Sequence, residues 1–205
     1  MKKIMFNDKY GLTKAVLEGR KTMTRRVISK EKYPLLYSWQ QNRLRFEILG
    51  NDTLRVWYKA DPQSLRTVDH FDIRIPRHPG EVVAVAQSYK DLGHPDFLME
   101  DRAGWNNKMF VSALMCHHQI RITNIRVERL QDISDEDCLR EGIREKSSFP
   151  KKKSLPFYFD GGKHSWDNSF STPRQAFAAL IAKVSGKGIW NRNPWVFVYE
   201  FELVK

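Results

Sequence analysis

The chain has 205 residues, of which 41% are hydrophobic and 12% aromatic, and its net charge at pH 7 is +11. This length and apolar content predict a single domain over residues 1–205 and exclude an intrinsically disordered chain. The apolar runs are much shorter than a bilayer span, and the N-terminus turns polar before a signal-peptide core could form. We therefore expect a cytoplasmic protein with no membrane partner.

The positive charge is unevenly distributed. Residues 1–50 carry twelve basic and four acidic residues and residues 144–192 carry ten and three, whereas residues 51–143 are net negative. If the two basic segments meet in space, they form one positive face that suits a polyanion such as RNA. A basic protein that binds no polyanion would show the same total charge. Cys116 and Cys138 are too few for a disulfide framework and agree with a reducing compartment.

The first elements follow from hydrophobic periodicity and turn residues. A strand is predicted at 4–6, and a helix at about 9–18 that ends at Gly19 in the left-handed conformation. Alternating apolar and polar residues at 44–48 and 54–58 flank a Gly-Asn-Asp turn, which predicts a hairpin.

The middle of the chain reads as strands. Residues 82–87 form a nearly continuous apolar run, and 109–115 is a further candidate strand. From Gln119 onward the apolar positions change parity, so the strand needs an extra residue near Thr123 and Asn124 to keep one face buried. A β-bulge there would suit a sheet that curls into a barrel.

Two helices with clear start signals follow. Ser134 is an N-cap followed by three acids, and that helix ends at Gly142. Thr172 and Pro173 open a second helix that ends at Gly186. Its core-facing stripe consists of apolar residues, namely Ala176, Phe177, Leu180, Ile181 and Val184. The polar and aromatic segment 146–171 between the helices is predicted to be a functional flap or a mobile insertion.

The segment 19–26, Gly-Arg-Lys-Thr-Met-Thr-Arg-Arg, places two hydroxyls, a lysine and three arginines directly after the first predicted helix. The hydroxyls of Thr22 and Thr24 and the guanidinium groups of Arg20, Arg25 and Arg26 are donors that a phosphate or a polar nucleobase requires. A solvated basic turn that leads into a strand is the alternative interpretation.

This segment resembles the signature of the ASCH family, a branch of the PUA-like fold, in the form carried by phage and prophage members. Four further segments agree with the family in the same order, at 78–85, 120–130, 133–143 and 193–198. The resemblance implies an α+β protein, a PUA-like β-barrel with peripheral helices. It also implies a basic cleft that binds RNA or a modified nucleoside. We expect no cofactor and no metal.

The resemblance further implies an alternative function. Some ASCH proteins are amidohydrolases that remove the acyl group from N4-acetylcytidine with a lysine, a threonine and a glutamate, and Lys21, Thr24 and Glu141 match those positions. A threonine hydroxyl needs a base to become a nucleophile, and a lysine can act as that base only if burial lowers its pKa. This chain differs from those minimal enzymes by having Arg25 in place of an apolar residue and by being about twice as long.

Two other hypotheses remain open. Glu141 could simply form an ion pair with Lys21 or Arg20 that ties the helix to the turn. The protein could also be a protein-interaction module without a role in nucleic-acid binding.

Outside these segments the signals are weaker. Lys151, Lys152 and Lys153 are candidate phosphate contacts, and Tyr158 and Trp166 are candidates for stacking on a base. Cys116, His117 and His118 have metal-ligand chemistry, but neighbouring residues on a strand point to opposite faces and no second ligand pair follows.

Overall fold

The structure is a computed structural model that describes residues 1–38, 44–50, 52–59, 68–95, 100–146, 155–161 and 168–204. Within these ranges the strands are, in chain order, β1 (Lys3–Ile4), β2 (Met23–Val27), β3 (Arg45–Leu49), β4 (Thr53–Lys59), β5 (Val68–Arg74), β6 (Val82–Val85), β7 (Gln119–Arg129), β8 (Arg144–Glu145), β9 (Phe157–Tyr158), β10 (Ser169–Phe170) and β11 (Trp195–Val204). The helices are α1 (Leu12–Leu17), α2 (Leu35–Ser38), α3 (Asp135–Arg140), α4 (Pro173–Ser185) and α5 (Ile189–Arg192). The α+β class is thereby confirmed. The described strands pair in three open sheets and do not close into a barrel.

The main sheet has five strands in the order β1-β6-β7-β11-β2, with β1 parallel to β6 and the remaining pairs antiparallel. In the ladder between β7 and β11, Glu200 pairs with Asn124 while Phe201 pairs with Ile122. Thr123 is therefore an extra residue in β7, and the predicted bulge is confirmed. The bulge keeps both Ile122 and Ile125 buried although their spacing is odd.

The predicted hairpin is also confirmed, as β3 and β4. Sequence reasoning missed β5, which pairs with β4 and completes a three-stranded antiparallel meander. The inner face of this meander contributes Leu54, Val56 and Ile73 to the hydrophobic core.

The third sheet is small and pairs in the order β10-β9-β8. Strands β9 and β10 belong to the segment 146–171 that was predicted to be a flap or insertion. Residues 147–154 and 162–167 of that segment lie outside the described residues.

The predicted caps of α3 and α4 are present. Ser134 Oγ accepts a hydrogen bond from Asp137 N at 3.1 Å, and Thr172 Oγ1 accepts one from Gln175 N at 3.1 Å. Each bond satisfies a backbone donor of the first helical turn, which has no partner within the helix. Four residues of the predicted core-facing stripe of α4 are buried, namely Ala176, Phe177, Leu180 and Ile181. The helix packs against α3, α5 and the small sheet.

Two predicted elements differ from the structure. The helix expected at 9–18 is shortened to α1, because Gly11 is left-handed with φ +64° and separates a 3₁₀ turn at Asp8–Tyr10 from the helix. Gly19, with φ +71°, does follow the helix as predicted.

The strand proposed for 109–115 was wrong. The segment forms two 3₁₀ turns, Lys108–Phe110 and Ala113–Met115. The side chains of Asn107 and Ser112 accept hydrogen bonds from the backbone at the start of each turn, which favours turns over a strand.

Candidate functional site

A cavity of about 370 Å³ lies beside β2. Its polar side is formed by Lys21, Thr24, Arg25, Arg26 and Glu141. The remaining wall is largely apolar and is formed by the residues directly after β1, by α1, by the end of β2, and by α4 and α5. Its apolar residues are Met5, Phe6, Leu12, Val27, Phe177, Leu180, Ile181, Val184 and Ile189. The structure therefore brings the three residues of the proposed catalytic set, Lys21, Thr24 and Glu141, to one cavity.

Lys21 lies at the floor of this site with 2% of its surface exposed. Its Nζ donates to Glu141 Oε2 at 2.6 Å, to the Glu141 carbonyl at 2.7 Å and to the Met23 carbonyl at 2.7 Å. Burial lowers the pKa of Lys21, and the neighbouring Glu141 carboxylate opposes that shift. All three N–H donors of an ammonium group have acceptors in this arrangement.

Backbone geometry at two turns places this ion pair. After Gly19 the chain turns back on α1, so that the amide of Lys21 donates to the Ala15 carbonyl at 2.9 Å. Glu141 is the C-cap residue of α3, and Gly142 follows it with φ +110°. A Cβ at Gly142 would lie 3.2 Å from a Leu12 methyl, so glycine allows the close approach of α3 to α1.

Arg25 is almost fully buried and joins this pair to further acids. Its Nη1 donates to Glu141 Oε1 at 3.2 Å, and its Nη2 donates to Glu128 Oε1 at 2.6 Å and to Asp137 Oδ2 at 2.9 Å. Burial alone would lower the pKa of Arg25, but Glu141, Glu128 and Asp137 together raise it. Arg25 is thus engaged by its own chain and does not form part of an exposed basic surface.

The network continues to the protein surface. Arg126 donates to Glu200 Oε1 at 2.6 Å and contacts Asp137, and Arg140 donates to Glu200 Oε2 at 2.8 Å. The members balance in charge, with four cations and four carboxylates, namely Lys21, Arg25, Arg126, Arg140, Glu128, Asp137, Glu141 and Glu200. Such a network fixes α3 against β2, β7 and β11 through paired charges.

Thr24 and Arg26 remain available to a ligand. Thr24 is 5% exposed, and its hydroxyl makes no hydrogen bond within the described part of the chain. Arg26 donates from Nη2 to the Met5 carbonyl at 2.6 Å and lies over the Phe6 ring, and it has no carboxylate partner among the described residues. Burial lowers the pKa of Arg26, and the charge of Arg77 adds to this effect.

The other predicted contacts are distributed differently. Arg20 pairs with Glu18 outside the cavity at 2.6 Å, and the Thr22 hydroxyl accepts from Arg140 Nε at 3.2 Å. Tyr158 lies in the small sheet under Arg144 and Lys146, whose charged groups are 5.3 and 5.6 Å from its ring. The predicted contacts Lys151, Lys152 and Lys153, and the stacking candidate Trp166, lie outside the described residues.

Sequence reasoning missed two groups of site residues. The acids Glu128, Asp137 and Glu200 were not singled out, although Arg126 and Glu128 lie two apart on one strand and hence on the same face. The stripe of α4 was interpreted as core alone. Four of its residues also form the apolar wall of the cavity, namely Phe177, Leu180, Ile181 and Val184.

In the described ranges, no group of three or more His, Cys, Asp or Glu side chains is placed to hold a metal ion. Burial raises the pKa of Cys138 to about 12, so its thiol is protonated at neutral pH. None of the helices described is both long enough and apolar enough to cross a membrane.

Comparisons with models of known protein families, with curated proteins and with solved structures found no match to this chain.

Proposed function

We propose that this protein binds a nucleoside or nucleotide, including forms with a modified base, in the cavity beside β2. One observation carries the proposal: Thr24 and Arg26 offer donors without carboxylate partners to a cavity whose opposite wall is apolar. A nucleobase has flat apolar faces and a polar edge, and it fits a cavity of this size and composition. The resemblance of residues 19–26 to the ASCH signature supports the same ligand class.

The arrangement favours a small ligand over a long RNA strand. Binding along a phosphate backbone depends on exposed basic side chains that release counterions. Arg25 is buried among three carboxylates, and Arg20 is paired with Glu18. We therefore expect the specific contacts to come from the cavity rather than from an extended basic face.

A curled, PUA-like sheet is part of the same proposal. The edge strands of the main sheet are β1 and β2, and Arg26 on β2 donates to the Met5 carbonyl directly after β1. A side chain that bridges the two edges is consistent with a sheet that curls back on itself.

The test is calorimetric titration of the protein with a panel of nucleosides and nucleotides that includes cytidine and N4-acetylcytidine, with a short single-stranded RNA in parallel. Thr24→Val removes the hydroxyl at nearly constant volume and should weaken binding by up to about tenfold. Thr53→Val, on β4 outside the cavity, is the matched control and should bind like the parent. Failure of every monomeric compound to bind would overturn the proposal.

Hydrolysis of an N-acylated nucleoside is the second candidate, because the buried Lys21 and the free Thr24 hydroxyl share the cavity. In that reaction Thr24 Oγ would attack the acyl carbon, its proton would pass to a base, and the nucleoside amine would leave after protonation. Water would then hydrolyse the threonine ester.

The geometry around Lys21 argues against this reaction. An ammonium group whose three donors are occupied has no lone pair to accept the Thr24 proton. Transfer of a Lys21 proton to Glu141 would also remove an anionic partner of Arg25. We therefore rank binding first.

Incubation with N4-acetylcytidine and chromatographic detection of cytidine decides between the two. If the parent releases cytidine, Thr24→Ala should abolish release and Thr24→Ser should retain it. Full activity of Thr24→Ala would exclude Thr24 as the nucleophile.

A further inference from the structure

The outer edge of β1 carries two carbonyl groups that none of the described strands pairs with. On the inner edge, the carbonyls of Lys2 and Ile4 accept hydrogen bonds from Ala84 on β6 and from Ala86 just after it. The carbonyls of Lys3 and Met5 point the other way, because successive carbonyls alternate in direction along an extended chain. They lie two residues apart and are therefore about 6–7 Å from each other.

Two arginines occupy this outer edge. Arg77 Nη2 donates to the Lys3 carbonyl at 2.9 Å, and Arg26 Nη2 donates to the Met5 carbonyl at 2.6 Å. The shared edge holds their guanidinium groups side by side. Arg26 also lines the cavity, so the pair lies at the border of the candidate site.

These two cations lack an anionic partner. Neither Arg26 nor Arg77 forms an ion pair with any carboxylate of the described residues. Glu81 lies in the same region, but it pairs with Lys2 at 3.0 Å. Two adjacent guanidinium groups repel each other, and Glu141 offsets this repulsion for Arg26 only from beyond ion-pair distance, so a bound anion would relieve what remains.

A buried hydroxyl completes the group. Tyr199 is fully buried, and its hydroxyl, next to Arg77, makes no hydrogen bond of ordinary geometry to any described residue. Arg77 Nε is likewise buried without a partner in the described part of the chain. In the ladder between β2 and β11, Tyr199 lies opposite Thr24, so these polar groups share one region of the sheet. Buried polar atoms without partners are rare and require an explanation such as an absent ligand.

We propose that Arg26, Arg77 and Tyr199 form a subsite for a phosphate group, so that the ligand of the cavity is a nucleotide rather than a nucleoside. This inference rests on the proposed function for the base-binding part of the site. Two guanidinium groups and a hydroxyl supply several donors of the kind that phosphate oxygens accept, and Arg is the side chain best suited to this recognition.

The experiment compares each of the four nucleoside 5′-monophosphates with its own nucleoside and with inorganic phosphate, by calorimetry at constant ionic strength. At least one monophosphate should bind about tenfold or more tightly than its nucleoside, as expected for charge-assisted hydrogen bonds. Arg77→Gln should remove that advantage. Arg74→Gln changes the net charge equally at an exposed position near Asp52 and should leave the advantage intact.

Tyr199→Phe is the second variant, because loss of Arg77 could disturb the edge of β1. It deletes only a hydroxyl that makes no hydrogen bond of ordinary geometry to the described residues, so the thermal midpoint should be unchanged or raised. The advantage of the monophosphate over the nucleoside should fall.

The outcomes separate this inference from the proposed function. Equal affinity for nucleoside and monophosphate, or an advantage that persists in both Arg77→Gln and Tyr199→Phe, would overturn the phosphate subsite while nucleoside binding stood. Binding of inorganic phosphate that depends on Arg77, with no binding of any nucleoside, would support the subsite and overturn the base-binding proposal.

Discussion

Glu141→Gln is the most direct test of the charge state of Lys21. The substitution removes the carboxylate 2.6 Å from Nζ but leaves the carbonyls of Glu141 and Met23 as acceptors. Removal of one member of a buried ion pair costs about 3–5 kcal/mol, and the two remaining acceptors place this variant near the lower end, at about 3 kcal/mol. Urea unfolding followed by tryptophan fluorescence should show a midpoint lowered by about 1 M or more.

The pH dependence of this loss gives the sharper result. Burial lowers the pKa of Lys21 from its ordinary value of 10.5, and Glu141 opposes that shift, so removal of Glu141 lowers the pKa further. In the folded variant, Lys21 then loses its proton at a lower pH than it does in the unfolded chain. The loss of unfolding free energy caused by the unpaired ammonium group is complete below the pKa of Lys21 in the folded variant, and it is relieved as the pH rises through that pKa. The stability difference between variant and parent should therefore be smaller at pH 9.5 than at pH 7.

An exposed ion pair provides the control. Asp72→Asn breaks the exposed pair with Arg55 and should leave the midpoint unchanged at both pH values. A loss of less than about 1 kcal/mol for Glu141→Gln, equal at pH 7 and pH 9.5, would mean that Lys21 is already neutral in the parent. That result would refute the reasoning and would favour the hydrolase over the binding protein.

Two further predictions concern the frame of the site. Ser134→Ala removes the N-cap of α3 and should lower the free energy of unfolding by about 1 kcal/mol in the same urea assay; no change would mean that the cap is dispensable. The hydrogen bond from Arg140, together with the charge of Arg126, holds the pKa of Glu200 below its ordinary value of 4.5. The Glu200 carboxylate therefore stabilises the fold fully above pH 4.5, and this stabilisation is lost as the pH falls through the pKa of the folded state. Glu200→Gln should accordingly be less stable than the parent at pH 7, and thermal melts should converge below pH 4.5; a constant difference would contradict this assignment.

Much of the local structure was predictable because the responsible interactions join residues that are close in sequence. The caps at Ser134 and Thr172 involve a side chain and a backbone amide three positions apart. The bulge at Thr123 follows from the change of apolar parity within one strand. Gly19 turns the chain because it adopts a positive φ without strain.

Prediction of strands from apolar patterns failed where tertiary contacts or local side-chain hydrogen bonds decide the backbone conformation. The apolar side chains of 109–115 suggested a strand, but capping by Asn107 and Ser112 produces two turns. The strand β5 was missed because only Phe71 and Ile73 show the apolar alternation, and the preceding position on the same face is the acidic Asp69. Its pairing with β4 is a property of the sheet and not of the segment.

The sequence by itself determined the composition of the candidate site, with Lys21, Thr24 and Arg26 on one segment and Glu141 at the end of a well-capped helix. Only the tertiary structure decided which of these groups are available to a ligand. Arg25 and Arg26 are neighbours in sequence and both line the cavity, yet Arg25 is paired with a cluster of carboxylates, whereas Arg26 has no carboxylate partner among the described residues. The carboxylates that bind Arg25 come from positions more than one hundred residues away, and no local pattern records which cations they neutralise.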